Sequence, residues 1–439
     1  MTDFLPANSL DSPEYILLRD GSQVLIRRLA PGDVVATQEF FRRLSPESRA
    51  FRFHSGGASV GPEVVGQALD GHTLVAERND RVVGLASYYP LRDPERAEMA
   101  LAVDDAEQGK GIGTVLFERL SADARREGIQ QFLALVLAAN RKMNDLLRNL
   151  GFALHRTIDS GEIEYTVELR EDESYVAAAD ARRHLAASAS LEPLFHPRSV
   201  AVVGASRQRG SIGHELLRNL LAGGFAGPVY PVNPNTLAVA SVRAYPRVSA
   251  IPDPVDLAII VVPAAVVLDA ARDCLDAGVK ALVVISAGFA EVGAEGRARQ
   301  DELLTLCRSH GVRLVGPNCM GILVNSPDGA MNATFAPVLP PPGNVSVASQ
   351  SGALGIAILQ QAKQLGIGIA SFVSMGNKAD LSSNDLIERW EDNPATDVIL
   401  LYLESFGNPR RFGRVARRVG RRKPIIAVKG GRAPAGQRA

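Results

Sequence analysis

The stretch EQGKGIGTVLFERL, residues 107–120, contains the turn that decides the fold of the N-terminal part of the chain. A P-loop requires G-x-x-x-x-G-K-[ST], but Lys110 is followed by glycine instead of Ser or Thr. A dinucleotide-binding turn requires G-x-G-x-x-G, whose third glycine would fall at Thr114. The spacing therefore excludes both nucleotide sites. Three glycines remain at alternate positions: Gly109, Gly111 and Gly113.

The pattern that remains is Gln-x-x-Gly-x-Gly, which starts at Gln108 between a predicted strand and a predicted helix. Backbone N–H groups at a helix N-terminus point the same way, and glycines allow close approach, so the turn favours an anion. Leu116, Leu120 and Ala124 recur every four residues and predict a buried helix face that would fix this N-terminus. A glycine-rich turn that only opens an ordinary helix is the alternative.

Length and charge limit the possible functions. The 439 residues correspond to about three domains. The 48 basic and 48 acidic side chains leave no net charge, so we expect neither nucleic acid nor a membrane surface as partner. We interpret the basic run at 410–423 as the solvated face of a helix, with contact to an acidic partner as the alternative.

The sequence contains no sign of a targeting segment, a metal site or disulfides. The N-terminus lacks the pattern of a signal peptide, and no uncharged apolar window reaches about 18 residues. Cys274, Cys307 and Cys319 have no CxxC spacing, and the seven histidines do not cluster. We therefore expect a cytoplasmic protein without a bound metal.

The order of strand-like and helix-like segments along the chain predicts an α/β fold with three domains. The Ala-rich segment at 172–190 is predicted to be a helical or flexible linker. After it, short β-branched runs alternate with helix-length segments, which indicates βαβ units around buried parallel sheets. A proline run at 338–343 separates two such sets. The predicted domains are 1–171, 191–325 and 326–439.

The first block resembles the GNAT acyltransferases, whose pyrophosphate loop is [Arg/Gln]-x-x-Gly-x-[Gly/Ala]. A strand at 99–103 precedes the loop at the family's distance, and ANRKMNDLLRNLGF, 139–152, matches the family's Asn-containing helix that ends in Gly-Phe. The resemblance implies a mixed α+β domain that binds acetyl-CoA through loop amides, an asparagine along the pantetheine arm, and strand N–H groups near the thioester oxygen. The implied ligands are Leu101, Val103, Gln108, Gly109, Lys110, Gly111, Ile112, Gly113, Thr114 and Asn140.

Acyl transfer to an amine requires a base, because the ordinary pKa of a lysine ammonium is about 10.4. Glu98 begins the strand that leads to the loop. In lysine-acetylating relatives a glutamate at this place is the general base, so the resemblance implies a catalytic role for Glu98. An exposed carboxylate paired with Arg96 is the alternative. Many relatives also have a tyrosine acid where this chain has Leu147, so either the thiolate leaves unassisted or activity is weakened.

The second block opens with a strand, a glycine-rich turn and a helix at 199–221, but its glycines do not fit G-x-G-x-x-G, which argues against NAD. It resembles the CoA-binding domain of NDP-forming acyl-CoA synthetases of the succinyl-CoA synthetase α-subunit type, through VGAS, VYPVNPN, IIVVPA, VISAGFAE and VGPNCMGILVN. The resemblance implies a Rossmann-like domain with CoA at the carboxyl ends of the strands. The implied ligands are Gly204, Ala205, Ser206, Asn233, Pro263, Ser286 and Gly288.

The third block resembles the flavodoxin-like domain that follows in the same synthetases. SQSGALG, 349–355, opens a helix that would face a phosphate, and Glu404 stands where a carboxylate would orient a phosphohistidine. In the family that histidine follows the KGGR segment, but no histidine follows His310 here. The ATP-grasp half is also absent, so we expect that this chain alone cannot run the ligase cycle.

The combination resembles the Pat-type protein lysine acetyltransferases, with the GNAT part first. It implies transfer of acetyl from acetyl-CoA to lysines of proteins such as AMP-forming acyl-CoA synthetases, with the synthetase-like region regulatory. The expected partner is a protein with an acceptor lysine, and oligomerisation stays open. Two other hypotheses remain: part of an NDP-forming acyl-CoA ligase, and a non-catalytic CoA sensor.

Overall fold

The structure is a computed structural model that describes residues 12–53, 66, 72–326 and 329–430. Contacts divide the chain into two compact units, Met1–Ala186 and Ala187–Ala439. The division falls inside one helix that spans the predicted linker. The two ends of the chain, 1–11 and 431–439, lie outside the described residues and include the end of the predicted third domain.

The first unit is built on one mixed sheet with the order β1-β2-β3-β4-β5-β6-β8-β7. Its strands are β1 (Glu14–Leu17), β2 (Gln23–Arg28), β3 (His72–Arg78), β4 (Arg81–Pro90), β5 (Arg96–Val103), β6 (Gln131–Leu137), β7 (Leu154–Asp159) and β8 (Glu162–Glu168). Its helices are α1 (Val34–Arg43), α2 (Pro46–Phe53), α3 (Ile112–Arg126) and α4 (Arg141–Asn149), followed by α5 (Glu173–Ser190), which crosses into the second unit.

Helix α3 has the buried face that its spacing predicts. Leu116, Leu120 and Ala124 are fully buried against the sheet. Burial of each leucine is worth about 1.5–3 kcal/mol, so this face anchors the helix firmly. The N-terminus of α3, which carries the glycine-rich turn, is held in place by these contacts.

Strands β5 and β6 are neighbours for only part of their length. They pair in parallel from Arg96↔Gln131 to Glu98↔Leu133, and no pairing between them continues beyond that point. Antiparallel pairing of β5 with β4 continues to Val103. The two parallel strands therefore separate just after Glu98, in the middle of an otherwise continuous sheet.

The second unit begins with a five-stranded parallel sheet of order β10-β9-β13-β14-β15. Its strands, with a small β11–β12 ribbon, are β9 (Val200–Val203), β10 (Val229–Val232), β11 (Ala238–Val239), β12 (Val242–Arg243), β13 (Leu257–Ile260), β14 (Ala281–Val284) and β15 (Arg313–Val315). The helices are α6 (Glu192–Phe195), α7 (Ile212–Ala222), α8 (Val267–Asp276) and α9 (Ala294–Ser309). Because all five strands are parallel, the loops after them meet at one edge.

A six-stranded sheet of order β17-β16-β19-β18-β20-β21 follows. Its strands are β16 (Gly321–Ser326), β17 (Gly329–Thr334), β18 (Pro342–Ser349), β19 (Ile369–Ser374), β20 (Val398–Leu403) and β21 (Ile425–Lys429). The helices are α10 (Gly352–Leu365), α11 (Ser383–Glu391) and α12 (Pro409–Val419). These sheets and helices confirm the predicted α/β class. Within the described residues, no helix is long and apolar enough to cross a membrane.

Most of the basic run at 410–423 lies in helix α12, which ends at Val419, but its arginines do not all face solvent. Arg411 pairs with Asp385 and Glu388 on α11, both at 3.0 Å. Arg418 pairs with Glu391 at 2.8 Å. The interpretation of this run as a simple solvated face is therefore wrong for its inner arginines, because the partner helix supplies buried carboxylates.

Candidate functional site

The glycine-rich turn forms a helix N-terminus without a side-chain cap. Gly111 is the N-cap residue of α3 and has φ +102°, and Gly109 before it has φ +81°. Both values lie in the left-handed region that favours glycine. Because glycine has no side-chain oxygen, the first N–H groups of α3 have no capping partner from the N-cap residue. The helix dipole adds to this donor set, so the turn fits a pyrophosphate.

Gly113 brings the start of α3 close to its neighbours. A Cβ there would lie 2.9 Å from Leu146 Cδ1 and 3.4 Å from Leu101 Cδ2. Leu146 belongs to α4 and Leu101 to β5. The small residue thus lets the helix N-terminus lie against the strand that leads to the turn.

Gln108 ties the turn to the end of β5. Its Nε2 donates to the carbonyl oxygen of Val103 at 3.0 Å, and its Oε1 accepts from Nζ of Lys142. Lys110 pairs with Glu107 at 2.9 Å, beside Arg78 at 3.0 Å from the same carboxylate. Lys142, on α4, was not predicted from the sequence, because its approach to Gln108 depends on how α4 packs against the turn before α3.

Asn140 is the N-cap of α4, where its Oδ1 accepts from the N–H of Met143 at 3.1 Å. This fixes the side chain and leaves its Nδ2 group without a partner within the described residues. Leu147, at the position of the relatives' tyrosine acid, is fully buried in the core. Tyr165 is also buried, with its hydroxyl 2.8 Å from Oδ1 of Asn144. Neither side chain can therefore replace the missing acid.

Glu98 lies at the point where β5 and β6 separate. Its side chain is exposed, and it forms no ion pair with Arg96. Beyond it, alternate backbone groups of β5 at residues 99–103 point toward β6 without a strand partner there. Leu101 and Val103 lie in this stretch, on the way from Glu98 to the turn. Three features thus follow one another from β5 to α3: a carboxylate, a row of strand backbone groups without a strand partner, and a turn that fits an anion.

Two residues beside Glu98 were missed by the sequence analysis. Tyr89 is its direct cross-strand partner on β4, so the two side chains share one face of the sheet. Arg52, on α2, is half-buried near both. Burial lowers the pKa of Arg52, while Tyr89 and Glu98 raise it. Only the strand register and the packing of α2 bring these residues together.

The second candidate site lies at the carboxyl ends of the parallel strands in the second unit. Gly204 follows β9 with φ +95°, and a Cβ there would overlap the carbonyl of Val261 after β13. A Cβ on Gly213 would overlap the carbonyl of Gly204, so α7 begins directly against the turn. Asn233 Nδ2 donates to the carbonyl oxygen of Ala205 at 2.8 Å. The geometry brings the predicted glycine turn and Asn233 together at the switch between β9 and β13.

The remaining predicted ligands of this site line the same edge. Ser286 Oγ donates to the carbonyl oxygen of Val262 at 2.6 Å, next to Pro263. The N–H of Gly288 donates to Glu291 and its carbonyl oxygen accepts from Arg299. Ser206, in the turn after β9, accepts from the N–H of Gln208 at 3.1 Å.

The start of α10 is built differently from the turn of the first unit. Ser351 caps the helix by accepting from the N–H of Leu354 at 3.3 Å, and Ser349 donates to the carbonyl of Ser351 at 2.8 Å. Gln350 accepts from the backbone N–H groups of Glu404 and Ser405. The structure thus brings Glu404 to the N-terminus of α10. No group of His, Cys, Asp and Glu in the described residues could hold a metal ion.

Three family models match the chain. The acetyltransferase (GNAT) family model matches residues 39–152, a CoA-binding domain model matches 198–325, and the succinyl-CoA ligase-like flavodoxin domain model matches 342–439. An acetyltransferase of Pseudomonas aeruginosa is 36% identical over 151 residues, which cover 32% of this chain and 81% of that protein. The chain belongs to the GNAT acetyltransferase family. This GNAT protein also carries the two CoA ligase-type domains.

The second unit of this GNAT protein is similar to parts of known ligases. The α subunit of the ADP-forming acetate–CoA ligase I of Pyrococcus furiosus is 43% identical over 254 residues, which are 57% of this chain and 54% of that subunit. A solved structure, the dinucleotide-forming acetyl-coenzyme A synthetase 1 of Ca. Korarchaeum cryptofilum with phosphate and ADP, is 48% identical. Its TM-score is 0.54, with 56% of this chain and 53% of that chain covered. The chain spans 34–54% of the curated ligases and synthases that it matches.

The comparisons confirm the predicted domain types and their order along the chain. They also confirm acetyl-CoA or CoA as the ligand class of these domains. The individual ligand residues and Glu98 stay predictions that rest on the geometry described above.

Proposed function

We propose that this GNAT protein is a protein Nε-lysine acetyltransferase of the Pat type. The observation that carries the proposal is the separation of β5 from β6 immediately after an exposed carboxylate, Glu98. The opening leads along unpaired strand groups to the uncapped N-terminus of α3. An extended thioester arm that leads to a pyrophosphate, as in acetyl-CoA, matches this sequence of features, and an amine acceptor would meet the thioester at Glu98.

The proposed chemistry is direct transfer, for which acetyl-CoA supplies the activated acyl group. Glu98 takes a proton from the acceptor ammonium, so that the amine lone pair can attack the carbonyl carbon. N–H groups of β5 near Leu101 and Val103 stabilise the negative oxygen that develops. The carbon–sulfur bond then breaks, and the thiolate leaves without a tyrosine acid, because Leu147 stands in its place. The low pKa of a thiol permits this departure. The nitrogen passes its second proton to solvent, which leaves a neutral amide.

The second unit supports the presence of a second CoA site. Its strand ends bring Gly204, Asn233 and Ser286 to one edge, where the resemblance to CoA-binding domains implies a ligand. We propose that occupancy of this site reports the CoA pool to the transferase. Acceptor proteins of the AMP-forming acyl-CoA synthetase class follow from the resemblance to Pat-type enzymes.

The test is to incubate the protein with labelled acetyl-CoA and a panel of AMP-forming acyl-CoA synthetases, and to locate the label by mass spectrometry. We expect label on a lysine of at least one synthetase. Saturable acetyl-CoA binding without label on any lysine would favour the sensor hypothesis instead.

As a second candidate function, the chain would act as one part of an ADP-forming CoA ligase. This function is favoured by the 43% identity of the second unit to a ligase α subunit, a higher value than the 36% found for the first unit. The test is to add a complementary ATP-grasp subunit with acetyl-CoA, ADP and phosphate. Formation of ATP would support this function.

A further inference from the structure

Two guanidinium groups with unsatisfied donors lie beside Glu98. Arg52 belongs to α2, and Arg96 is the first residue of β5. The Nε atom of each is buried without a hydrogen-bond acceptor. A buried donor of a charged group without a partner is destabilising, because no hydrogen bond replaces the one it loses to water. Two such groups at one place suggest that an acceptor group arrives from outside.

The fold concentrates these charges on one surface, here called the acceptor face and formed by Arg52, Tyr89, Arg96 and Glu98. Arg96 and Glu98 are two positions apart on a strand, so they point to the same side. Tyr89 lies directly opposite Glu98 on β4. Helix α2 packs against β5 and places the Arg52 guanidinium within electrostatic reach of Tyr89 and Glu98. The acceptor face thus carries two cations and one carboxylate.

The net positive charge of the acceptor face does not favour an acceptor whose only charged group is an ammonium. Glu98 attracts an ammonium, but the two guanidinium groups repel it, and they are always protonated. Burial lowers the pKa of Arg52, with Tyr89 and Glu98 acting in the opposite direction. An incoming carboxylate would pair with guanidinium donors through charge-assisted hydrogen bonds. It would also relieve the repulsion next to the base.

We infer that Arg52 and Arg96 bind a carboxylate that lies next to the acceptor amine. This inference rests on the proposed acetyl transfer and narrows its acceptor. The carboxylate has two possible sources, which are an acidic residue adjacent to the acceptor lysine of a protein and the α-carboxylate of a free amino acid. Arg52 and Arg96 act here as specificity residues, whereas Glu98 is the base.

The experiment compares matched acceptors with the full chain. One pair is a lysine peptide with glutamate next to the lysine and the same peptide with glutamine. The other pair is a free amino acid and its amide. We expect wild type to favour the carboxylate member of a pair at least tenfold in kcat/KM, mainly through KM. Arg52→Gln should reduce this ratio to about one, and Arg52→Lys should retain part of it.

The matched control is Arg42→Gln, which removes the same charge from an exposed position on α1. It should keep the wild-type ratio. Unchanged acetyl-CoA affinity shows that Arg52→Gln is folded, and Arg96→Gln provides a second variant of the same face.

The outcomes distinguish the carboxylate inference from the proposed acetyl transfer to protein lysines. If only the amino-acid pair is acetylated and the ratio depends on Arg52, the carboxylate inference stands and the protein-lysine proposal fails. If wild type acetylates the two members of each pair at equal rates, or if Arg52→Gln keeps the wild-type ratio, the carboxylate inference is overturned while acetyl transfer stands. If none of the four acceptors is acetylated, both the carboxylate inference and the proposed acetyl transfer are overturned.

Discussion

At the scale of single residues, the turn before α3 depends on a backbone conformation that only glycine adopts without strain. Gly111 combines φ +102° with the N-cap position of a 15-residue helix. A side chain there would strain the backbone and disturb the N–H groups proposed to bind the pyrophosphate. Gly161, in the turn between β7 and β8, has a similar φ of +89° and open space around it. Both positions would therefore strain any other residue, but only Gly111 lies in the candidate acetyl-CoA site.

We therefore predict that Gly111→Ala and Gly161→Ala each lower the free energy of unfolding by about 1–2 kcal/mol. Only Gly111→Ala should weaken acetyl-CoA binding, by at least tenfold. Denaturant unfolding and calorimetric titration measure the two quantities. Equal acetyl-CoA affinity of the two variants would show that the turn does not hold the pyrophosphate.

At the scale of elements, helices α11 and α12 are joined by buried ion pairs. Asp385 is almost fully buried between Arg411 at 3.0 Å and Arg313 at 3.6 Å. Burial alone would raise the pKa of Asp385, but Arg411 and Arg313 outweigh it and lower the pKa to about 2. Removing one partner of such a cluster leaves charges buried and unpaired.

Asp385→Asn should therefore lower the free energy of unfolding by about 3–5 kcal/mol at pH 7. An unfolded aspartate has a pKa of about 3.9, so the stabilisation by ionised Asp385 is present above about pH 4. It is lost as the pH falls toward 2. The difference between wild type and variant should accordingly shrink below pH 4, as urea denaturation at several pH values will measure. Asp269→Asn, at an exposed position, should change stability by less than about 0.5 kcal/mol. A pH-independent difference for Asp385→Asn would contradict this account.

The elements also show what the sequence could and could not predict. The spacing of Leu116, Leu120 and Ala124 indicated a helix with one buried face, because local periodicity carries that information. The separation of β5 from β6 could not be predicted, since it depends on which strands become neighbours. The inward arginines of α12 were missed because the acidic partners Asp385 and Glu388 lie on another helix. For the same reason Arg52 was not connected with Glu98.

At the scale of the whole molecule, each unit has its own candidate CoA site. The turn before α3 serves the first unit, and the strand ends near Gly204 and Asn233 serve the second. We predict that titration with CoA yields two equivalents per chain. Gly111→Ala should weaken binding of one equivalent and Asn233→Ala binding of the other, because Asn233 fixes the turn through Ala205 at 2.8 Å. A single equivalent that Asn233→Ala leaves intact would exclude a CoA site in the second unit.

Glu98 is the proposed base of the acetyl transfer to an amine. The most direct test is the pH profile of kcat/KM for Glu98→Gln, with Glu95→Gln as a control that neutralises a nearby exposed carboxylate. We predict that Glu98→Gln lowers the transfer rate about 10²–10⁴-fold. The variant should also lack the limb of the pH profile that reports ionisation of the base, while its affinity for acetyl-CoA stays unchanged. Glu95→Gln should keep the wild-type profile. A full transfer rate of Glu98→Gln at every pH would contradict the claim.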